Sequence, residues 1–131
     1  MPEFQTDSFL PYGRQTINED DIAAVVEVLR SPFLTQGPAV PAFEKAVAAK
    51  VDADYGVAVN SATSALHLAC LALDLGSGDR LWTSPITFVA SANCGRYCGA
   101  DVDFVDVDPA TGLMSVKSLE AKLEVSERES T

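Results

Sequence analysis

The first part of the chain has the spacing of amphipathic helices. The segment Asn18–Asp21 predicts a helix start, because its side chains can accept hydrogen bonds from free backbone N–H groups. Pro32 predicts the helix end, because proline forces the residue before it out of the helical region. We therefore predict helices over 19–30 and about 39–51, preceded by an extended arm over 1–18.

Farther along the chain, short apolar runs alternate with helical segments. The apolar runs predict strands at 55–59, 80–83 and 102–106, and the remaining segments predict helices at 62–74, 87–98 and 115–125. Strands that are apolar on both faces and joined by helices pair in parallel through right-handed crossovers. The chain is therefore predicted to be an α/β protein.

The pattern also predicts an incomplete domain. Three parallel strands are a small core for so much apolar sequence, and no further strand follows the polar tail Ser126–Thr131. We expect residues 1–131 to be the truncated start of a larger domain. Residues 1–50 would form its N-terminal arm and helices, and residues 51–131 the start of its parallel sheet.

Composition and charge narrow the classes of function. The 131 residues are 47% hydrophobic and 21% charged, as in an ordinary soluble protein. Acidic residues outnumber basic ones by 19 to 9, which argues against nucleic acid as a partner, because phosphate backbones bind basic surfaces. The apolar runs are too short to span a membrane, and Met1–Phe4 does not resemble a signal peptide. We expect a cytoplasmic protein that binds neither nucleic acid nor membrane.

The cysteines give little support to a metal site. Cys94 and Cys98 are four residues apart in a predicted helix and therefore share one face. A metal or redox pair is one interpretation, but the chain has a single histidine, His67, and no CxxC motif. Together with Cys70, these residues are better interpreted as small buried side chains, and no metal is predicted.

The segment 59–67 carries the most informative chemistry. An apolar run leads into a helix whose first turn contains hydroxyl side chains at Ser61, Thr63 and Ser64. From residue 59 onward, the first acidic residue is Asp74, at the far end of that helix. Free N–H groups and the helix dipole favour an anion at such a turn, so a phosphate site and an ordinary Ser/Thr cap fit the pattern equally well.

The established phosphate-binding motifs are absent from the chain. It has neither G-x-x-x-x-G-K-[ST] nor a strand followed by G-x-G-x-x-G. The Gly76-Ser77-Gly78 segment follows a predicted helix and precedes a predicted strand, which is the wrong order for a dinucleotide loop. We interpret it as the end of the preceding helix, and Gly99 likewise as the residue that closes the next helix.

A second strand-to-helix connection contains an aromatic side chain. Thr87 is predicted to cap the helix over 87–98, which places Phe88 at the carboxyl end of the sheet, where open α/β folds bind ligands. Phe88 could stack on a planar cofactor or pack in the core, and Asn93 could be a polar core residue.

In this order and spacing, the motifs resemble the DegT/DnrJ/EryC1/StrS family of sugar aminotransferases that use pyridoxal 5′-phosphate (PLP). The similarity runs from about residue 10 to 125. The segments that carry it are Tyr12-Gly-Arg-Gln15, Ser31-Pro-Phe-Leu-Thr-Gln-Gly-Pro38, Phe43-Glu44, Asn60-Ser-Ala-Thr-Ser-Ala-Leu-His67, Gly78-Asp79, Ser84-Pro-Ile-Thr-Phe-Val-Ala-Ser-Ala-Asn93 and Phe104-Val-Asp-Val-Asp108. The likeness is greatest to enzymes that aminate UDP-linked 4-keto-6-deoxy-N-acetylhexosamines on the route to pseudaminic acid.

This resemblance implies a fold, a cofactor and site residues. The family has the aspartate-aminotransferase-like fold, called fold type I, and this chain would be the N-terminal part of its large domain. Its enzymes act as homodimers with PLP and transfer an amino group from an amino acid, commonly glutamate, to a UDP-linked keto-sugar. Thr63 and Ser64 match the turn that holds the cofactor phosphate, and Phe88 matches the aromatic residue that stacks on the cofactor ring.

The resemblance also implies that essential groups are missing. In the family, a lysine after a later strand and serine-containing turn holds PLP as a Schiff base, and an aspartate binds the pyridine nitrogen. The four lysines lie on helices of surface type, at Lys45, Lys50, Lys117 and Lys122. Asp106 and Asp108 match a strand end with a structural role. We therefore expect no catalytic residue in this chain and no transaminase activity from it alone.

Two alternatives to this interpretation stay open at the level of sequence. One is an α/β nucleotide-sugar enzyme of another family. The other is a non-catalytic α/β binding or regulatory module derived from the same fold.

Overall fold

The structure, a computed structural model, describes residues 13–129, with side chains through residue 126. It divides into two compact units, Met1–Ala58 and Val59–Thr131. The first unit contains α1 (Glu19–Arg30) and α2 (Ala39–Lys50). The predicted arm lies outside the described residues up to position 12, and residues 13–18 have no regular secondary structure.

Both helices of the first unit confirm the sequence prediction. Asn18 caps α1, since its side chain accepts from the backbone N–H groups of Asp20 and Asp21, and the Asp21 carboxylate accepts from the Asn18 N–H in return. The helix ends at Arg30, and the backbone of the next residue, Ser31, is extended as the following proline requires. In α2 the last helical residue is Lys50, one residue before the predicted end.

The second unit is an α/β arrangement around two strands. It contains α3 (Ala62–Ala72), β1 (Arg80–Thr83), α4 (Ala90–Tyr97), β2 (Asp101–Phe104) and α5 (Val116–Glu129). The strands are parallel, with Arg80 opposite Asp101 and Thr83 opposite Phe104. The parallel pairing through a helical connection confirms the predicted α/β class.

The packing of α4 against the sheet depends on a glycine. A β-carbon at Gly95 would lie 3.1 Å from Leu81 Cβ and 3.3 Å from Val102 Cγ2, so a larger residue would push the helix away from the strands. The buried core residues near this contact are mostly small, namely Ala90, Cys94, Ala100 and Val105. The core of the second unit is therefore thin.

The predicted strand over 55–59 is wrong. These residues belong to no strand, and the sheet has two strands rather than three in the described part of the chain. The segment is held by α2 instead, because the Glu44 carboxylate accepts from the Ala58 N–H at 2.9 Å, and a β-carbon at Gly56 would lie 2.6 Å from the Glu44 carbonyl oxygen. An apolar run predicts an extended segment, but it does not specify a partner strand.

Thr87 does not cap α4, which corrects a second prediction. The helix begins at Ala90 with Val89 as the flanking residue, and no side chain caps it. Thr87 Oγ1 instead lies 3.2 Å from Ser91 Oγ. A bend after β1 occupies positions 85–87, so the helix starts about one turn later than a hydroxyl at position 87 predicts.

The end of α3 corrects a third prediction. The helix ends at Ala72, two residues before the predicted end, and the left-handed residue that closes it is Asp74, at φ 54°, rather than Gly76. The N–H of Leu75 then donates to the Cys70 carbonyl at 3.1 Å, the bond expected for a Schellman ending. At the end of α4 the prediction is confirmed, because Gly99 has φ 84° and the N–H of Ala100 reaches back to Gly95 O.

The last helix extends farther than predicted, through Glu129 rather than residue 125, so it includes the first residues of the polar tail. Lys122 of α5 forms an ion pair with Asp103 of β2. Among residues 13–129, no helix is both long and apolar enough to cross a membrane.

Candidate functional site

The turn that opens α3 is organised by hydroxyl and amide side chains. Ser61 is the N-cap, and its Oγ accepts from the Ser64 backbone N–H at 3.2 Å. The Ser64 hydroxyl donates to Asn60 Oδ1 at 2.8 Å, and the Ser61 hydroxyl donates to the same oxygen at 3.3 Å. Three polar side chains around the cap, those of Asn60, Ser61 and Ser64, therefore share one hydrogen-bond network.

Several donors of this turn are left available. Within the described part of the chain, the N–H groups of Ala62 and Thr63 and the Thr63 hydroxyl have no hydrogen-bond partner. Unpaired N–H groups at a helix start point along the axis and carry the positive end of the helix dipole. The turn can therefore donate to an anion without losing a bond it already makes.

The distribution of charge around the turn also favours the binding of an anion. The first turn of α3 contains no acidic residue, although the whole chain has a net charge of −10. Along this segment the first acid is Asp74, after the last residue of the helix. Thr63 and Ser64 are half-buried, so a ligand here would be partly shielded from water. This donor set suits a phosphate group.

Phe88 lies in the other connection singled out in the sequence. It precedes α4 by two residues, and its carbonyl accepts from the Ser91 N–H at 3.0 Å. Its side chain is 73% exposed, so core packing does not account for it. The ring is free to stack on a planar group. Asn93, farther along α4, is half-buried.

The four lysines lie where surface residues are expected. The two aspartates that follow β2 lie where structural residues are expected. Lys45, Lys50 and Lys117 are exposed, and Lys122 is the partner of Asp103. Asp106 and Asp108 accept hydrogen bonds from the backbone of the turn that follows β2, at Val107 N and Ala110 N respectively.

The three cysteines are free thiols near the contact of α3 and α4. Cys70 and Cys94 are buried, and Cys98 is half-buried. Burial, together with the neighbouring Cys94 and Cys98 thiols, raises the pKa of Cys70 to about 11. In the described residues, no group of three or more His, Cys, Asp or Glu side chains is arranged to hold a metal ion.

Reasoning from sequence missed the part played by Asn60. The resemblance singled out Thr63 and Ser64, but the structure separates them, since Ser64 is engaged with Asn60 whereas the Thr63 hydroxyl is not engaged. The available signal was an amide side chain directly before the cap, within one helical turn of the hydroxyls.

Solved structures similar to this chain include a PLP-bound form and other sugar aminotransferases. Over 86% of this chain, the PLP form of Spr1654 from Streptococcus pneumoniae superposes with a TM-score of 0.78 at 32% identity. The sugar aminotransferase CalS13 from Micromonospora echinospora superposes over 87% of it, with a TM-score of 0.74 and 32% identity. This likeness defines the class of the chain, an α/β segment of a fold type I PLP-dependent transferase.

The sequence comparison then gives the family. Residues 15–129 match the DegT/DnrJ/EryC1/StrS aminotransferase family, and the chain belongs to it. A curated relative, the spore coat polysaccharide biosynthesis protein SpsC of Bacillus subtilis strain 168, is 45% identical over 113 residues, or 86% of this chain. The chain spans 29% of the length of SpsC, 29% of Spr1654 and 31% of CalS13.

Proposed function

We propose that this sequence contributes the cofactor-phosphate turn of an aminotransferase that moves an amino group from an amino acid, glutamate, to a nucleotide-linked 4-keto-6-deoxy sugar. The observation that carries the proposal is an acid-free helix start with unpaired donors, in a chain that matches a sugar aminotransferase family over residues 15–129. When bound, PLP supplies a conjugated ring that absorbs the charge developed during amino-group transfer.

The residues of the α3 turn bind and orient the cofactor in this proposal. The N–H groups of Ala62 and Thr63 and the Thr63 hydroxyl donate to phosphate oxygens, and the helix dipole adds attraction for the negative charge. Ser64 belongs to the same turn. Phe88 stacks on the ring face, for which its exposed side chain is suited.

The substrate is proposed to be a UDP-linked 4-keto-6-deoxy-N-acetylhexosamine on the route to pseudaminic acid. Motif order supports this assignment, and so does the likeness to SpsC, which is named for polysaccharide biosynthesis. We further propose a cytoplasmic homodimer. Exposed apolar side chains on α1, such as Val25 and Leu29, are available for subunit contacts, and free thiols are usual in the cytoplasm.

An assay of the complete gene product tests the reaction. With glutamate, PLP and the UDP-linked 4-keto sugar, we expect 2-oxoglutarate and the 4-amino sugar, both measured by mass spectrometry. A matched reaction without the keto-sugar controls for slow deamination of glutamate. Absence of the amino sugar with every nucleotide-linked 4-keto sugar tried would refute the proposed activity. Amination of a sugar linked to a nucleotide other than UDP would refute only the choice of nucleotide.

The 131-residue chain by itself is proposed to be inactive. Three of its lysines are exposed and the fourth is paired with Asp103, and none of the four matches the family's Schiff-base lysine, which follows a later strand. After incubation with PLP and reduction with borohydride, peptide mapping should find scattered, substoichiometric labelling of the four lysines. Stoichiometric labelling of a single lysine would show that the chain carries its own attachment site.

A further inference from the structure

The donors of Thr63 and Ser64 are used differently, although both residues lie in the first turn of α3. Ser64 has both donors engaged, its N–H with Ser61 Oγ at 3.2 Å and its hydroxyl with Asn60 Oδ1 at 2.8 Å. Thr63 has both donors unpaired among the described residues. A hydroxyl has one proton to donate, so the Ser64 hydroxyl cannot serve Asn60 and a phosphate oxygen at the same time.

We propose that Asn60 is a positioning residue of the phosphate turn. It accepts a hydrogen bond from the Ser64 hydroxyl and leaves Thr63 as the side chain that donates to the phosphate. This inference rests on the proposed function, since it takes the α3 turn to be the cofactor-phosphate site. It assigns different roles to Thr63 and Ser64, which the family resemblance matches to the same phosphate-holding turn. Thr63 contacts the ligand, and Ser64 acts through the cap.

The direction of the network supports this division. Asn60 Oδ1 accepts from the hydroxyls of both Ser61 and Ser64. Ser61 Oγ also lies 3.1 Å from Ser64 Oγ, and a lone pair of Ser61 Oγ accepts from the Ser64 N–H, which stabilises the N-cap. Asn60 therefore orients both hydroxyls, and its removal would let them rotate.

The unpaired donors of Ala62 and Thr63 indicate where an anion can bind. They attract a phosphate group, whereas Asn60 Oδ1 already accepts from two hydroxyls and cannot donate to it.

Titration of the full 131-residue chain with pyridoxamine 5′-phosphate tests this inference. That probe carries the phosphate and the ring but no aldehyde, so it cannot react with lysine. Dissociation constants would be measured by ¹⁵N NMR for the unmodified chain and four variants: Thr63→Val, Ser64→Ala, Asn60→Ala and the double variant Asn60→Ala/Ser64→Ala. Pyridoxamine, which lacks the phosphate, is the control ligand.

The double variant separates a positioning role from direct contact. We expect Thr63→Val to weaken binding by about ten-fold or more, the loss typical of a hydrogen bond to a charged group. Asn60→Ala and Ser64→Ala should each weaken it by about five-fold, as for one hydrogen bond between neutral groups. The double variant should bind no more weakly than Asn60→Ala alone, because Ser64 acts only through its bond to Asn60.

Three results would overturn the inference. If Ser64→Ala costs as much as Thr63→Val and adds fully to Asn60→Ala, Ser64 contacts the phosphate directly. If Asn60→Ala has no effect while Thr63→Val weakens binding, the phosphate site stands and the role of Asn60 is wrong. If Thr63→Val has no effect either, the proposed site fails as well.

A measurement on the unmodified chain covers the case in which a variant does not fold. The amide signals of Ala62 and Thr63 should move most with ligand, and that of Ser64, already paired with Ser61, should move less. The largest movement at Ser64 would contradict the inference.

Discussion

At the scale of single residues, the ion pair between α5 and β2 has a defined chemical signature. Asp103 lies opposite Trp82 in the parallel pair, and its carboxylate accepts from the Lys122 ammonium group and from the Phe104 backbone N–H. These two contacts, with Lys122 the larger, hold the pKa of Asp103 below its ordinary value of 3.8. The buried indole nitrogen of Trp82 lies close enough to add slightly to this effect, but it is outside hydrogen-bond geometry.

Replacement of Lys122 by Met should destabilise the chain at neutral pH but not in acid. A depressed carboxyl pKa contributes stability that is present above pH 3.8 and is lost as the pH falls through the lowered value. Urea unfolding, followed through the single tryptophan Trp82, should therefore show a deficit at pH 7 that shrinks toward pH 3. Because the Asp103 and Lys122 side chains are 43% and 35% exposed, the deficit should be small and weaker in salt.

Lys117→Met is the matched control, since Lys117 is an exposed lysine of the same helix. It should leave stability unchanged at both pH values. A deficit of Lys122→Met that stays constant from pH 7 to pH 3 would mean that the lysine stabilises α5 through packing and not through charge.

The site residues show what sequence can reach at this scale. The sequence alone identifies a turn that contains hydroxyl side chains and no acid. It also identifies the match of Thr63 and Ser64 to the family motif. The direction of each hydrogen bond depends on side-chain rotamers, which cannot be read from the sequence. The engagement of Ser64 with Asn60 therefore required the structure.

At the scale of elements, three helices end in the same way but with different residues. The left-handed position after the helix is occupied by Asp52 after α2, Asp74 after α3 and Gly99 after α4. In each case an N–H one residue later reaches back to the helix, from Ala53, Leu75 and Ala100. Aspartate tolerates this conformation less well than glycine, and its charge lies at the negative end of the helix dipole.

Asp74→Gly should therefore stabilise the chain by about 1 kcal/mol, because it removes the strain of a positive φ and an unfavourable charge. Part of this gain is offset by the greater flexibility of glycine in the unfolded chain. The reverse change, Gly99→Asp, is the matched counterpart and should destabilise by a similar amount. Urea midpoints of the two variants measure both effects, and a lower midpoint for Asp74→Gly would contradict this account.

Helices were easier to predict than strands for a physical reason. A helix satisfies its backbone within one segment, so caps and periodicity fix its bounds, as Asn18 and Ser31 do for α1. A strand needs a partner strand. In the segment 55–59, the Ala58 N–H donates to the Glu44 carboxylate instead of to another strand. The start of α4 was misplaced because a bend after β1 resembles a helix cap in sequence.

At the scale of the whole molecule, apolar surface exceeds apolar core. Val105 is the one large side chain that is completely buried in the part of the chain described. Large apolar side chains elsewhere are exposed, including Val57 at 77% and Leu73 at 82%. The two strands of the sheet also each have an unpaired edge. Surfaces and edges of this kind favour association.

The purified chain should therefore self-associate, which light scattering coupled to size-exclusion chromatography would detect. A charge on the exposed apolar face of α1, in Leu29→Glu, should shift the distribution toward smaller species. Gln15→Glu adds the same charge at an exposed polar position and should not. A monodisperse monomer with a cooperative thermal transition would be the opposite of what this surface predicts.

The α/β class and the family follow from the pattern over the whole chain, and the comparisons confirm both. The number of strands does not follow from that pattern, because pairing depends on which segments meet in space. That residues 1–131 form a single incomplete domain stays a prediction. The structure itself has two compact units.

The central claim is that the first turn of α3 holds the cofactor phosphate, and the most direct test compares two ligands on the same chain. In ¹⁵N NMR spectra, pyridoxamine 5′-phosphate should move the amide signals of Ala62 and Thr63 in a saturable way. Pyridoxamine, without the phosphate, should leave them in place. Equal shifts with both ligands, or saturable shifts with pyridoxamine 5′-phosphate confined to another part of the chain, would contradict the assignment of this turn.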